Sequence, residues 1–313
     1  DASAAYVIAQ LEKSNFFTVT KDTHETGIYE ELSPPSLELP GTYPPVTLNR
    51  CEQTTGWQHY YVGCDYAGVR YGGNGTFHVE AKMEFVADAC AAGGWASFTR
   101  GRVALVEASS ACDYYTRGLF AEDAGAAALI FASVEGSNGY PGSRVYDSSI
   151  PASEHRFVQL PCLGVTHAIG QLLRQAGATA RLSTHTLVRV VPSFNVIAES
   201  RVGDAARVVM MGSHLDPVPE GPGLNDNGAG SASTLEIALE WAARQKARLA
   251  AGEEAECHRQ PRVRFGWWGS EEVGLVGSRA YVDKLVAAPA ELEKLLCYLN
   301  YDMEAGPNYV RMV

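Results

Sequence analysis

The sequence predicts an α/β fold with a mixed, mostly parallel central sheet flanked by helices. Short apolar runs typical of strands alternate with helical patterns along the second half of the chain. Chains that alternate in this way form βαβ crossovers, which place neighbouring strands parallel. Because 313 residues are enough for roughly two domains, we expect a second compact unit in the first half.

The first half begins with a helix and then changes character. Apolar residues recur at helical spacing within residues 3–15 and predict one surface helix. Pro and Gly pairs between about 30 and 75 predict extended connections and turns, so we place a domain boundary there. Five further segments follow: strand-like runs at 103–108, 127–133 and 161–165, and helix-like segments at 115–124 and 166–176.

The second half carries the alternation that defines the fold class. Residues 231–247 place small and apolar side chains on one face, as a helix that covers a sheet requires. The Glu-, Ala- and Arg-rich stretch 244–260 is expected to be a solvated excursion, and Trp267 and Trp268 are expected to pack in the core. The remaining predicted elements are strands at 193–199, 207–213, 263–269 and 295–303 and a helix at 277–286.

Charge and hydropathy exclude several classes of partner. The formal net charge is −11, and no basic run or stripe interrupts it. Such a surface cannot neutralise a phosphate backbone, so we expect no nucleic-acid partner and no attraction to anionic membranes. No apolar stretch approaches the roughly 20 residues that span a bilayer.

The cysteines and one glycosylation sequon agree with secretion. Seven cysteines occur singly, never as the close pairs that structural zinc favours, so disulfides are the better interpretation. The odd number leaves at least one cysteine free or paired elsewhere. One glycosylation sequon begins at Asn74, and the chain starts at Asp1 without a methionine or a signal segment, as a processed or trimmed protein would.

A series of metal-type ligands stands where the short apolar strands of the second half end. Zinc binds imidazole nitrogen and carboxylate oxygen, and two zinc ions can share one bridging carboxylate. Asp216 is placed to hydrogen-bond the second nitrogen of His214 and so fix its tautomer. The sequence therefore predicts a two-zinc hydrolase site built from His214, Asp216, Asp226, Glu271, Glu272 and Asp302.

Three segments resemble the M28 family of zinc exopeptidases, specifically its secreted fungal and bacterial aminopeptidases. They are SHLDPVPEGPGLNDNGAGSA, WWGSEEVGLVGS and LNYDMEAGPNYV, within residues 190 to 313. The resemblance implies a secreted enzyme that removes N-terminal, apolar residues from peptides. It also implies that Asp226 bridges two zinc ions and that His214 and Asp302 complete the first site. Glu272 would bind the second zinc, and Glu271 would act as general base.

The stretch ACDYYTRGLFAEDAGAAALIFAS resembles the protease-associated (PA) domain, a small β-rich insert of many such peptidases. We therefore expect residues 1–75 to be an N-terminal helix and extended segment of the peptidase domain. Residues 76–190 would form the PA domain and 191–313 the N-terminal part of the M28 catalytic domain. With this domain we expect a disulfide between Cys112 and Cys162, and next a disulfide between Cys51 and Cys64.

The family's last metal ligand, a histidine, has no counterpart after Asp302. We therefore expect a C-terminal fragment of the same protein to supply it, together with the rest of the sheet. Two alternatives stay open. A carboxypeptidase of the same superfamily would need a cationic clamp for the substrate carboxylate, and a receptor-like relative would keep the fold without catalysis.

Overall fold

A computed structural model describes residues 2–40, 47–51, 64–108, 111–135, 142–174, 178–219 and 221–306. The chain forms two compact units. The first unit comprises Asp1–Thr26, Pro151–Ser153 and Val191–Val313, and the second comprises Gly27–Ile150 and Glu154–Val190. No helix in these described ranges is both long and apolar enough to cross a membrane.

Helices and strands alternate in the described residues, with one short 3-10 helix at Ala92–Trp95. In chain order the elements are α1 (Ala2–Ser14), β1 (Phe17–Glu38), β2 (Tyr66–Gly68), β3 (Gly75–Phe85), β4 (Val103–Glu107), α2 (Tyr114–Asp123), β5 (Ala128–Ala132), β6 (Cys162–Val165), α3 (His167–Leu173), β7 (Thr179–Ser200), β8 (Asp204–His214), α4 (Gly228–Ala250), α5 (Glu254–Arg259), β9 (Pro261–Trp268), α6 (Val276–Val286), α7 (Pro289–Leu292) and β10 (Leu295–Asn300).

The sheet of the first unit has the strand order β10, β8, β9, β7. The first three strands are parallel, and the end of β7 runs antiparallel to β9. The prediction of a mixed, mostly parallel sheet is confirmed. The chain crosses from β9 past β8 to form β10 on the far side of β8. Strand β8 therefore lies between two parallel neighbours, β9 and β10.

Both faces of this sheet are covered, as a parallel sheet requires. Phe265 and the fully buried Trp267 pack with α1 and α4 on one face. Met210 and Trp268 pack with Tyr281 of α6 on the other. Successive strand residues point to opposite faces, so the adjacent tryptophans serve two separate cores. The expectation that both are packing residues is confirmed.

The second unit has its own sheet and core. Strands β3, β4, β5 and β6 are parallel neighbours, β2 pairs antiparallel with β6, and the first half of β7 pairs antiparallel with β3. Strand β5 is buried along its whole length. Its side chains contribute to two apolar clusters, because alternate residues face opposite sides.

Three segments differ from the sequence-based expectation. Strand β1 continues through Pro34 and Pro35 to Glu38, where turns were expected. The stretch 244–260 is mostly helical rather than irregular, although most of its residues are exposed as expected. Residues 27–75 fall in the second compact unit, whereas the sequence-based division placed them with the peptidase domain.

The disulfides agree with one expectation and contradict the other. Cys51 pairs with Cys64, as expected. The expected Cys112–Cys162 bond is wrong, because Cys112 pairs with Cys90. Cys162 is a free, buried thiol on β6, where it contributes to the apolar core of the second unit.

These pairings predict the outcome of a thiol analysis. Alkylation of the unfolded, unreduced protein should label Cys162, Cys257 and Cys297 and no other cysteine. The double replacement of Cys90 and Cys112 by serine should lower the free energy of unfolding by about 2–4 kcal/mol, because the disulfide no longer restricts the unfolded chain. Replacing the exposed Cys297 by serine is the control and should leave stability unchanged. A peptide linking Cys112 to Cys162 would contradict the assignment.

Candidate metal centre

The predicted ligands meet at the carboxyl edge of the first unit's sheet. His214 is the last residue of β8, and Asp302 lies two residues beyond the end of β10. Glu271 and Glu272 follow the end of β9, and Asp226 precedes the N-terminus of α4. Because parallel strands end at the same edge, residues far apart in the sequence become neighbours there.

Distances define a compact cluster around one imidazole nitrogen. Nε2 of His214 lies 3.1 Å from Oδ1 of Asp226 and 3.5 Å from Oδ1 of Asp302. Oε2 of Glu271 is 3.8 Å from the same nitrogen. Two ligand groups have their atoms within 4.8 Å of one another; they are His214 with Asp226 and Asp302, and His214 with Glu271 and Glu272.

The backbone of Asp216 fixes the tautomer of His214. Nδ1 of His214 lies 2.9 Å from the carbonyl oxygen of Asp216, whereas the nearest carboxylate oxygen of Asp216 is 4.0 Å away. A carbonyl oxygen only accepts, so the proton of the neutral imidazole must be on Nδ1. The lone pair on Nε2 is then directed toward the carboxylates. The expected partner residue is present, but it acts through its carbonyl group rather than its side chain.

The carboxylate of Asp216 binds the backbone of the two glutamates rather than the imidazole. Its Oδ1 accepts a hydrogen bond from the backbone N–H of Glu271 at 3.0 Å, and its Oδ2 accepts from that of Glu272 at 3.2 Å. A single residue thus orients the imidazole with its carbonyl and anchors the acidic turn with its carboxylate. Charge-assisted bonds of this kind are stronger than neutral ones.

A buried asparagine also holds the turn that carries the two glutamates, and the sequence analysis did not identify it. Asn195 on β7 accepts a hydrogen bond from the N–H of Gly269 and donates to the carbonyl of Gly277. A Cβ on Gly277 would lie 2.1 Å from the carbonyl oxygen of Gly269, so only glycine permits this approach. Asn195 is fully buried, and nothing in its local sequence distinguishes it from an ordinary strand residue.

Asn227 is a second residue of the site that the sequence analysis did not identify, although its position before a helix is a recognisable pattern. Its Oδ1 caps α4 by accepting from the N–H of Gly230, and its Nδ2 donates to the carbonyl of Tyr301. The cap therefore ties the segment of Asp226 to the segment of Asp302. An asparagine directly before a helical pattern is a strong N-cap preference, so the sequence could have indicated it.

The acidic groups of the cluster oppose one another's ionisation. Burial raises the pKa of Glu272 to about 7, and the carboxylates of Asp226 and Glu271 add to this shift. Burial also raises the pKa of Glu271 and of Asp302, although His214 acts in the opposite direction on both. Burial alone would lower the pKa of His214, but the surrounding carboxylates, Glu271 foremost, raise it.

The donor set fits a metal ion such as zinc. Nε2 of His214 and Oε1 of Glu272 are buried and form no hydrogen bond with any described residue. Buried polar atoms without a partner are costly, and here both belong to groups with a lone pair to offer. Imidazole nitrogen and carboxylate oxygen are ligands that zinc accepts. A bound cation would satisfy both atoms and offset the repulsion among the carboxylates.

An imidazole and several carboxylates meet at the carboxyl edge of the mostly parallel sheet of an α/β protein, and this set of donors fits a metal ion. Comparison with known protein families shows which family this site resembles. Residues 195–313 match peptidase family M28, and residues 79–173 match the PA domain. Residues 195–313 are therefore an M28-type peptidase segment, and residues 79–173 a PA-type segment.

Individual relatives agree with this assignment. The chain is 37% identical over 224 residues to an aminopeptidase of Pseudomonas aeruginosa (strain UCBPP-PA14), covering 70% of this chain and 38% of that protein. It is 36% identical over 219 residues to a probable leucine aminopeptidase 2 of Aspergillus fumigatus, covering 68% and 39%. The chain thus spans about two fifths of the length of these relatives.

A solved structure confirms the fold. A zinc aminopeptidase from Bacillus subtilis superimposes with a TM-score of 0.54 at 23% identity. The match covers 96% of this chain and 62% of that one. At this identity the similarity establishes the shared fold.

The double role of Asp216 predicts the effect of its replacement. Asp216→Asn keeps the backbone carbonyl but turns an amide toward one of the two N–H groups, so the acidic turn loses an anchor. We expect zinc affinity to fall roughly 10- to 100-fold, measured by competition with a chromophoric chelator. Asp283→Asn on the exposed side of α6 is the matched control and should bind as the parent does. Equal affinities in the two variants would contradict the anchoring role.

Proposed function

We propose that this chain forms the metal-binding part of a co-catalytic di-zinc aminopeptidase that removes N-terminal residues from peptides. The observation that carries the proposal is the buried Nε2 of His214, which forms no hydrogen bond within the described residues and faces carboxylates at the edge of an M28-type sheet.

The residue roles follow the M28 resemblance, and one of the two ligand groups contains the three residues proposed for the first zinc ion. His214, Asp226 and Asp302 would hold the first zinc ion, with Asp226 shared as the bridge to a second ion held by Glu272. Zinc in this position lowers the pKa of water and polarises a carbonyl group. Asp216 positions both sides of the site, because it fixes the tautomer of His214 and the turn of Glu271.

Glu271 is the proposed general base. Its Oε2 lies 3.8 Å from Nε2 of His214, close to the ligands, and the backbone N–H of Glu271 is held by Asp216. Burial raises the pKa of Glu271 above its ordinary value, which brings its proton affinity closer to that of an effective base at neutral pH. Glu271 would accept a proton from the attacking water and donate it to the departing amine.

The surroundings of the cluster favour an aminopeptidase over a carboxypeptidase. The cluster is rich in carboxylates, and a free amino terminus is attracted to acidic groups. The two named relatives are aminopeptidases, one of them for leucine, which supports peptides with an apolar first residue as substrates.

We also propose a secreted protein in which residues 76–190 are the PA domain and 191–313 carry the peptidase chemistry. Two disulfides support an oxidising compartment. The sequon residue Asn74 is exposed, and its Oδ1 accepts from the N–H of Val188. Its amide nitrogen stays available for a glycan.

Activity and zinc content together test the function. The zinc-loaded protein, assayed together with the C-terminal fragment proposed below, should hydrolyse a leucine anilide but not an N-acetylated peptide, and chelation should abolish hydrolysis until zinc is restored. Glu271→Gln should lower kcat by roughly 10²- to 10⁴-fold, the contribution of a general base, with zinc content unchanged.

Glu254→Gln on the exposed side of α5 serves as the control for Glu271→Gln and should retain full activity. Zinc binding without any hydrolysis would favour a non-catalytic, receptor-like module. Release of C-terminal residues instead would favour the carboxypeptidase.

We propose further that a histidine from a C-terminal fragment of the same protein completes the second zinc site. The unpartnered Oε1 of Glu272 supports a ligand set that is incomplete within the described residues. A zinc titration combined with intact mass measurement tests this. A preparation consisting of the 313-residue chain alone should bind one zinc tightly and a second much more weakly. Two equally tight zinc ions on that chain alone would overturn the proposal.

A further inference from the structure

A second cavity of the first unit has the opposite electrostatic character and shares no residue with the metal cluster. It is an open cavity of about 600 Å³, a volume within the range of small-molecule sites. Arg201, Arg262 and Arg264 line it together with one acidic residue, Glu199. The lining therefore has two surplus positive charges, in a chain whose net charge is −11.

The strand register explains why the arginines gather. Arg262 and Arg264 are two residues apart on β9, so their side chains leave the same face of the sheet. Glu199 on β7 stands directly opposite Arg264 in the antiparallel pair. It accepts from Nη1 of Arg262 at 3.0 Å, and from both Nε and Nη2 of Arg264, at 2.8 and 2.5 Å. One carboxylate thus serves two guanidinium groups, so the three residues together keep one surplus positive charge.

Several donors in this cavity have no acceptor within the described residues. Nε of Arg262 is buried and forms no hydrogen bond there. Nη1 of Arg264 donates to the hydroxyl oxygen of Tyr281 at 2.8 Å, which leaves the hydroxyl hydrogen of Tyr281 free to donate in turn. Only 10% of the Arg264 side chain is exposed. The hydroxyl groups of Thr18 and Thr20 line the same space.

We propose that this cavity binds a phosphate group, either as inorganic phosphate or as a phosphate monoester. A phosphate dianion matches the two surplus charges and offers several acceptor oxygens for the Arg262 and Tyr281 donors. Arginine forks match such oxyanions in geometry as well as in charge. A monocarboxylate supplies only one charge and two oxygens, so it satisfies fewer of these donors.

Calorimetric titration at constant ionic strength tests the site. The protein is first freed of metal and dialysed, because a bound zinc ion would itself attract phosphate. Inorganic phosphate should bind with one site per chain, and acetate should bind at least roughly ten-fold more weakly, since it leaves a charge and donors unsatisfied. Glycerol 2-phosphate forms the second arm, and tighter binding of either phosphate compound than of acetate supports the shared chemistry.

Variants distinguish phosphate binding in this cavity from nonspecific attraction of phosphate to exposed arginines. Arg262→Gln should weaken phosphate binding roughly ten-fold, the effect of one charge-assisted hydrogen bond. Tyr281→Phe keeps every charge and should weaken binding several-fold, which provides a readout if Arg262→Gln does not fold. Arg207→Gln, an exposed arginine of β8 paired with Asp204, is the control and should bind as the parent does.

Asp226→Asn in the metal cluster should leave phosphate affinity unchanged, so failure of the aminopeptidase proposal and failure of this one can be told apart. Absence of saturable phosphate binding would overturn the proposal. So would parental affinity in both Arg262→Gln and Tyr281→Phe.

Discussion

The metal centre depends above all on the hydrogen bonds of Asp216. The carbonyl group of this residue directs the lone pair of His214 inward, and its carboxylate holds the backbone of Glu271 and Glu272. These contacts join the ends of β8 and β9, which the sheet alone would leave as independent loops. A site of this kind needs its ligands held within fractions of an ångström, and backbone hydrogen bonds provide that restraint.

Much of this arrangement could be predicted from the sequence because it follows from local patterns. Helices α1, α4 and α6 and strands β8 and β9 have the periodicity of their class, and His214 stands at a recognisable strand end. The roles of Asn195 and of the Asp216 carboxylate could not be predicted, since they depend on which backbone groups the fold brings within reach. The sequence predicts no strand at β1, and the Pro pair at 34 and 35 favours a turn, although a strand tolerates proline where no ladder bond is needed.

The disulfides show the same limit. Spacing along the chain cannot distinguish Cys90 from Cys162 as the partner of Cys112, because pairing depends on distance in the folded state. Cys162 lies within a fully buried strand, where it acts as a small apolar side chain. The first unit also contains two complementary polar sites. One gathers acceptors that lack donors around His214, and the other gathers donors that lack acceptors around Arg262.

The position of β10 has a consequence for how the protein is made. Strand β10 pairs with β8, and the hydrogen bond from Asn227 to Tyr301 spans 74 residues of sequence. During synthesis, β8 and the start of α4 therefore emerge from the ribosome well before their partner segment exists. Until residue 302 has been translated, His214 and Asp226 lack their third neighbour. Contacts of such long range form late in folding, so a nascent chain acquires the means to hold the metal only near the end of this segment.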